Sequence, residues 1–392
     1  MPLLLVRFGQ SSELRSPIQA SAWSRITVIR EAVRAHGGAR FLLDETMRIN
    51  TSNVLHFFQV KSMAKLKVYV ASNEIPEKAL QILRSVSDVT MNLKEGPPTR
   101  QTLLKEVADA DGLFCLLTER IDSELMDVAK RLKVVSNMAV GYDNIDVAEA
   151  TKRGIMVTNT PGILTETVAD ATFALLLAIA RRVVEADKYI RAGKWIIPWS
   201  PMMMTGNDVH DKTLGIYGLG RIGAAVAKRA RGFEMKLIYY DVYRNMDRER
   251  ELGIRYMPLD DVLRKCDFLV IHVPSVPETR KSINKEKLSL MKKTAYLINT
   301  SRGAVVDEQA LINALQENRI AGAALDVFEK EPIDLDNPLI KLNNVVIVPH
   351  IASASIETRT NMAELVARNI VAALKNETPP TLVNKEVLKA RG

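Results

Sequence analysis

Two periods alternate along most of this chain. Short apolar runs rich in Val, Ile and Leu mark strands buried on both faces. Between them, apolar residues recur every three or four positions, the mark of amphipathic helices. The runs begin with Lys67-Val-Tyr-Val-Ala and continue through Asp88-Val-Thr-Met, Gly112-Leu-Phe-Cys-Leu-Leu, Lys133-Val-Val-Ser-Asn-Met and Ile155-Met-Val-Thr. Helices are predicted at 76–83, 100–108, 123–130 and 147–153, the first with Pro76 in its opening turn. The alternation resumes with strands at 213–217, 236–240, 267–273, 295–299, 321–325 and 344–348, a helix following the glycines at 218–223, and helices at 308–316 and 356–374. Such alternation builds βαβ units, so the fold class is α/β with two doubly wound parallel sheets. The first half has no glycine-rich loop and reads as flavodoxin-like. The second reads as a Rossmann dinucleotide-binding domain inserted into it, because the last helix is expected to pack back on the first domain. The expected domains are 63–162 with 352–392 for substrate, and 163–351 for the dinucleotide.

Between the halves, Pro161-Gly162 breaks the chain and Thr167-x-x-Asp170 reads as a capping box. It is expected to open one long buried helix reaching about Arg191. The segment Trp195-Ile-Ile-Pro-Trp-Ser-Pro-Met-Met-Met is apolar yet broken by proline, which favours a subunit interface over folding back on its own domain.

Composition narrows the class. Hydrophobic residues make up 47% and charged residues 26%, as in soluble globular proteins. The longest apolar run, 171–180, is far short of the ~20 residues a membrane span needs. Cys115 and Cys266 lie in or beside apolar strands and read as reduced core residues with no disulfide or metal role, which points to a reducing, cytoplasmic setting. No His/Cys/Asp cluster has metal spacing. The net charge of +8 is dispersed among acids, with no basic stripe carrying interleaved aromatics, so neither nucleic acid nor membrane is expected as a partner. Residues 1–62 carry eight Lys/Arg and four Asp/Glu without βα periodicity. They read as a poorly ordered N-terminal extension, with the working protein starting near Met63.

The chemistry is concentrated at strand ends. Thr213-Leu-Gly-Ile-Tyr runs into Gly218-Leu219-Gly220-Arg221-Ile222-Gly223 and then a helix. Gly218 allows the tight turn, Gly220 the approach of a pyrophosphate, and Gly223 close helix–strand packing. The helix N-terminus adds free N–H groups and a positive dipole end. The next strand ends in Asp241, followed by Val242 and Tyr243, where a carboxylate accepts ribose hydroxyls and repels a 2′-phosphate. NAD is therefore expected, with NADP possible; Arg244 and Arg248 nearby read as solvated arginines. Parallel strands share one C-terminal edge, so Gly218–Gly223, Asp241, Pro274, Arg302, Asp326 and His350 should line one crevice. Arg302 can grip a carboxylate through its planar fork, the alternative being an ion pair across the loop. His350, after Pro349, is placed to exchange a proton with a substrate oxygen. Glu331 or Glu329 could partner it and keep the imidazole protonated for reduction. His272 reads as a buried, hydrogen-bonded histidine, and His210 as loop surface.

These residues sit in longer matches. Val140-Gly-Tyr-Asp-Asn-Ile-Asp, Gly218-Leu-Gly-Arg-Ile-Gly, Asn299-Thr-Ser-Arg-Gly-Ala-Val-Val-Asp, Leu325-Asp-Val-Phe-Glu-Lys-Glu-Pro and Val348-Pro-His-Ile-Ala-Ser-Ala resemble the D-isomer-specific 2-hydroxyacid dehydrogenases, in their glyoxylate/hydroxypyruvate reductase branch. The resemblance spans about Leu66 to Leu388. It implies NAD(H)-dependent reduction of glyoxylate or hydroxypyruvate. It also implies catalysis by Arg302, His350 and Glu331, not Glu329. Asp326 would hold the nicotinamide carboxamide, and Thr300, Ser301, Ile351 and Ala352 would touch the cofactor. Backbone N–H groups around Val140 and Gly141 would bind the substrate carboxylate. Relatives carry glycine where this chain has Ala352, a mild change. The family is dimeric through the arm near 195–205, so a homodimer is expected. Two rivals remain: another D-2-hydroxyacid substrate, such as lactate or phosphoglycerate, and a non-catalytic NAD-sensing protein.

Overall fold

The computed structural model describes residues 65–390. The expectations for 1–62 lie outside the described residues. The described residues form one compact unit.

Its first sheet contains β1 (Leu66–Val70), β2 (Ser87–Met91), β3 (Gly112–Cys115), β4 (Val134–Asn137) and β5 (Met156–Thr158). All pairings are parallel, in the order β2-β1-β3-β4-β5, which is the flavodoxin-like order. The connecting helices are α1 (Glu77–Arg84), α2 (Arg100–Val107), α3 (Ser123–Val128) and α4 (Val147–Lys152). Helices cover both faces, so β3 and β4 are buried along their whole length.

Two helices, α5 (Thr165–Ala180) and α6 (Val183–Arg191), lead to the second sheet. Its strands are β6 (Thr213–Tyr217), β7 (Lys236–Tyr240), β8 (Arg255–Tyr256), β9 (Phe268–Ile271), β10 (Tyr296–Asn299), β11 (Gly322–Leu325) and β12 (Val345–Ile347). Helices α7 (Arg221–Arg231), α8 (Met246–Leu252), α9 (Leu259–Lys265), α10 (Lys285–Leu290) and α11 (Glu308–Gln316) connect them. The order β8-β7-β6-β9-β10-β11-β12 is the Rossmann order extended by one strand. The final helix α12 (Ile356–Leu374) returns to the first sheet. There Val366, Ala367, Ile370 and Ala373 share a core with Val68, Phe114 and Val134. On the other side, Phe173, Leu176 and Ile179 of α5 pack with Leu214, Ile216 and Val226. Burying each large apolar side chain contributes about 1.5–3 kcal/mol.

The helix between the halves departs from expectation. It starts at Thr165 with Leu164 at the cap and no capping side chain. The hydroxyls of Thr167 and Thr358 are hydrogen-bonded at 2.7 Å, and Asp170 accepts from the Arg229 guanidinium at 2.7 Å. Both polar groups of the supposed capping box are thus spent on tertiary partners. The helix then stops at Ala180. Arg182 sits at φ 55°, in the left-handed region, and its guanidinium is clamped on Glu185 at 2.6 and 2.9 Å. The short elements β8, α8, α9 and α10 were not read from the sequence. Helix α6 buries no residue, and Trp195, Trp199 and Met202 are 53%, 73% and 75% exposed. The arm therefore does not fold back onto its own domain within the described residues. Cys115 and Cys266 are buried and free. No described helix is long and apolar enough to cross a membrane.

Candidate functional site

Strands β6, β7, β9, β10, β11 and β12 are parallel, so their C-terminal ends form one edge. The glycine loop stands at its centre. Gly218 adopts φ +98°, and a Cβ there would lie 2.8 Å from the His272 carbonyl. A Cβ on Gly223 would come within 2.2 Å of the Gly218 oxygen, so α7 sits directly on the loop. Gly220, the N-cap of α7, would meet nothing within 4 Å. That open face, with helix N–H groups behind it, fits a pyrophosphate. Asp241 braces the loop from the next strand: its Oδ2 accepts the Leu219 N–H at 2.8 Å, leaving Oδ1 for a ribose hydroxyl. These residues fit a dinucleotide. Beyond Asp241, Val242 and Tyr243 are exposed.

Of the two arginines read as solvated, Arg244 is exposed, as read, and Arg248 half-buried, and both also make bonds. The Arg248 guanidinium donates to the carbonyls of Leu219 and Gly220, tying the loop from outside. Arg244 is paired with Glu249 at 2.8 and 2.9 Å and lies over the Tyr256 ring. His272, beside the loop, departs from its reading as a hydrogen-bonded histidine. Both its ring nitrogens are shielded from solvent, and neither has a hydrogen-bond partner. Burial pushes its pKa down to about 3, so it is a neutral imidazole with no acid role near neutral pH.

His350 stands just beyond β12, at φ +53°. A non-glycine residue in that region costs about 1–3 kcal/mol and persists only where neighbours over-determine it. Asp326, fully buried at the end of β11, does so. Its carbonyl accepts the His350 N–H at 2.9 Å, and its two carboxylate oxygens accept the N–H groups of Ile351 and Ala352 at 2.6 and 3.0 Å. Burial pushes the Asp326 carboxyl up, against the pull of those N–H groups and of His350. Thr300 shares a hydroxyl hydrogen bond with Thr172 at 2.8 Å, Ser301 Oγ donates to Asn299, and Pro274 is exposed at the end of β9's run.

The structure separates the two glutamates. Glu331 Oε2 lies 2.7 Å from His350 Nδ1, while its Oε1 accepts the Phe328 N–H at 3.0 Å. Glu329 instead pairs with Lys281 at 3.1 Å and accepts the Glu308 N–H. Burial pushes the Glu331 carboxyl up, but the bond and charge of His350, the Phe328 N–H and the Arg302 charge outweigh it, and the net shift is downward. With Nδ1 committed to Glu331, Nε2 is the nitrogen left for a ligand.

Arg302 reaches across to the first domain. Its Nε donates to Asp143 at 3.2 and 3.4 Å, and Nη1 donates to the Ser301 carbonyl at 2.9 Å. Nη2 lies over Gly141, where a Cβ would approach it to 1.8 Å. The loop beneath is held by three amides. Asn137 donates to the Gly141 carbonyl at 2.9 Å, Asn159 to the Val140 carbonyl at 2.7 Å, and Asn144 to the carbonyls of Leu116 and Glu119. Arg302, His350, Glu331, Asp143, Leu117 and Phe328 line one cavity of about 180 Å³. A larger cavity, about 310 Å³, lies beside α12 at Ile163, Asn361, Glu364 and Arg368. Its one acid, Glu364, is already paired with Lys78 and Arg368, so the chemistry belongs to the smaller one. Among the described residues, no group of three or more His, Cys, Asp or Glu is placed to hold a metal. Sequence reasoning missed Asp143 and the amide frame. The available signals were the polar cluster Tyr-Asp-Asn immediately past a strand end and its place inside one of the stretches that carry the resemblance.

Comparison with known proteins bears on the family and the fold. Residues 173–352 match the model for the D-isomer specific 2-hydroxyacid dehydrogenase NAD binding domain. The chain is 56% identical over 327 residues to a glyoxylate reductase of Korarchaeum cryptofilum, covering 83% of this chain and 98% of that one. It superposes on the TT0316 protein of Thermus thermophilus with a TM-score of 0.76 at 43% identity, covering 81% and 100%. An NADPH-dependent glyoxylate/hydroxypyruvate reductase of Sinorhizobium meliloti, in complex with NADP and malonate, gives a TM-score of 0.70 at 35% identity, covering 83% and 98%. With sheet order, glycine loop and near-full-length similarity all in agreement, the chain belongs to the D-isomer-specific 2-hydroxyacid dehydrogenase family and carries that family's NAD-binding Rossmann domain.

Proposed function

We propose that this protein reduces the carbonyl of a small 2-oxo acid, glyoxylate first and hydroxypyruvate second, to the 2-hydroxy acid. The observation that carries the reading is the shared cavity: Arg302, His350 and Glu331 converge on about 180 Å³ at the mouth of the dinucleotide crevice. That space suits an acid of two or three carbons. The glyoxylate reductase of Korarchaeum cryptofilum supports the choice of substrate. Asp241, with one oxygen free for ribose, supports NADH over NADPH.

In this mechanism the Arg302 fork binds the substrate carboxylate and draws on the carbonyl oxygen, while the N–H groups of Val140 and Gly141 hold the carboxylate from the other domain. Bound NADH supplies the hydride. As the carbonyl carbon is reduced, His350 Nε2 gives its proton to the oxygen, and the ring is left neutral. Glu331, on Nδ1, fixes the tautomer and orientation. Asp326 holds the turn that presents His350; fully buried, with both oxygens on backbone N–H groups, it serves the turn rather than the nicotinamide carboxamide that the resemblance implied. Closure about Pro161-Gly162 excludes water. The exposed arm from Trp195 to Met202, with α6, supports a homodimer.

The test is NADH oxidation by the purified chain with glyoxylate, hydroxypyruvate, pyruvate and 3-phosphohydroxypyruvate. Turnover highest on glyoxylate supports the proposal. Tight NADH binding with no turnover on any of them would replace it with an NAD-sensing role.

A further inference from the structure

We propose that Asp143 is a positioning residue for the reaction: it crosses from the substrate domain to hold Arg302 at Nε, so that the outer edge of the guanidinium faces the substrate cavity. This rests on the reading of Arg302 as the group that binds the 2-oxo acid.

The geometry is specific. Asp143 follows β4 in the first sheet, and Arg302 follows β10 in the second. Both carboxylate oxygens lie near Nε, at 3.2 and 3.4 Å. Among the described residues the Asp143 side chain has no other hydrogen-bond or ion-pair partner. Its loop is not free to drift, because the side chain of the next residue, Asn144, is bonded to the carbonyls of Leu116 and Glu119 at 3.1 and 2.9 Å. Asn137 and Asn159 fix Gly141 and Val140 on the other side. Asp143 is thus a charge on a braced platform, aimed at one atom of one arginine. With Nε on Asp143 and one Nη1 N–H on the Ser301 carbonyl, the remaining Nη1 and Nη2 N–H groups are what is left for a planar carboxylate.

Electrostatics points the same way. A carboxylate beside a site for an anionic acid repels that acid. Asp143 is half exposed, and pairs of that kind contribute little to stability. Its gain must therefore come from the orientation of the guanidinium. Because the two residues follow strands of different sheets, the bond also ties arginine orientation to the contact between them.

The two effects separate in the kinetics. Asp143→Ala removes the tether and the repulsion together. We expect kcat with glyoxylate to fall about ten- to hundredfold, the range expected when a reacting geometry is displaced by about 1 Å. KM should change by less than about threefold, and the NADH Kd and Tm should stay at wild-type values. Asp143→Asn keeps an oxygen for Nε and should recover part of kcat. In an Arg302→Lys background, which keeps a cation but has no Nε, Asp143→Ala should cost little more. Wild-type kcat in Asp143→Ala would overturn the inference. So would a loss shared equally by kcat, NADH binding and Tm, or a full additive loss on top of Arg302→Lys. If Arg302→Lys alone turns over like wild type, the reading of Arg302 fails and takes this inference with it. If Arg302→Lys is impaired and Asp143→Ala is not, only the positioning role fails.

Discussion

The loop after β6 and the loop after β4 face the same crevice and present backbone to it, but they are built on opposite plans. In the first, the residues that matter are glycines. Gly218 takes a left-handed turn, Gly223 lets α7 sit on the loop, and Gly220 leaves an open face. The shape is written locally, with outside help from Asp241, Arg248 and the Tyr240 carbonyl, which accepts the Gly218 N–H at 2.8 Å. The loop at 139–144 is held by side-chain amides: Asn137 at the end of β4, Asn159 beyond β5, and the loop's own Asn144 reaching back to the β3 end. It also reaches out, through Asp143, to the other domain. A cofactor loop must fit a constant pyrophosphate and can be rigid in itself. The loop at 139–144 is instead completed by the opposite wall, through the bond of Asp143 to Arg302.

Paired glycine substitutions test this contrast most sharply. Gly141→Ala would put a Cβ 1.8 Å from Arg302 Nη2 and 2.9 Å from Asp143 Oδ1. The guanidinium must move, so kcat/KM for glyoxylate should fall about a hundredfold while NADH affinity holds. Gly220→Ala meets nothing within 4 Å in the protein, so the fold should be untouched and the loss should fall on cofactor. A rise in NADH Kd of about tenfold is expected, with kcat close to wild type at saturation. Steady-state kinetics and NADH fluorescence titration read both, and exchanged phenotypes would break the contrast.

A smaller effect probes the His350–Glu331 pair. Glu331 is depressed in the fold below its usual 4.5, because His350, the Phe328 N–H and Arg302 outweigh burial. A depressed acid stabilises the fold above its unfolded pKa and loses that contribution as pH falls through the folded value. The stability advantage of wild type over Glu331→Gln should therefore be full above about pH 4.5 and shrink below it. Tm measured against pH checks this; an advantage that grew on acidification would contradict the sign.

Much of this was legible in the sequence, for physical reasons. Parallel strands in a covered sheet must be nearly continuous runs of Val, Ile and Leu, so the large strands were readable. The glycine loop was readable because only glycine meets its steric demands. Legibility ended where a residue's partner lies far along the chain. Thr167 and Asp170 match a capping box, yet they bond to Thr358 and Arg229. No glycine or proline marks the break at Arg181-Arg182; the left-handed turn there is held by the clamp of Arg182 on Glu185. Glu329 and Glu331 differ by two positions in one turn, and only the packed turn separates them. His272 was read as a hydrogen-bonded core histidine, but its ring finds no partner. The two-residue β8 and the short helices α8 to α10 are too brief to show a period.

The central claim is that Arg302 serves the substrate and not the dinucleotide. The direct measurement is Arg302→Ala, with NADH affinity and turnover on glyoxylate determined on the same preparation. Turnover lower by about a hundredfold or more, with NADH affinity within about twofold of wild type, is the predicted result. Turnover near wild type, or cofactor affinity lost in the same proportion, would contradict it.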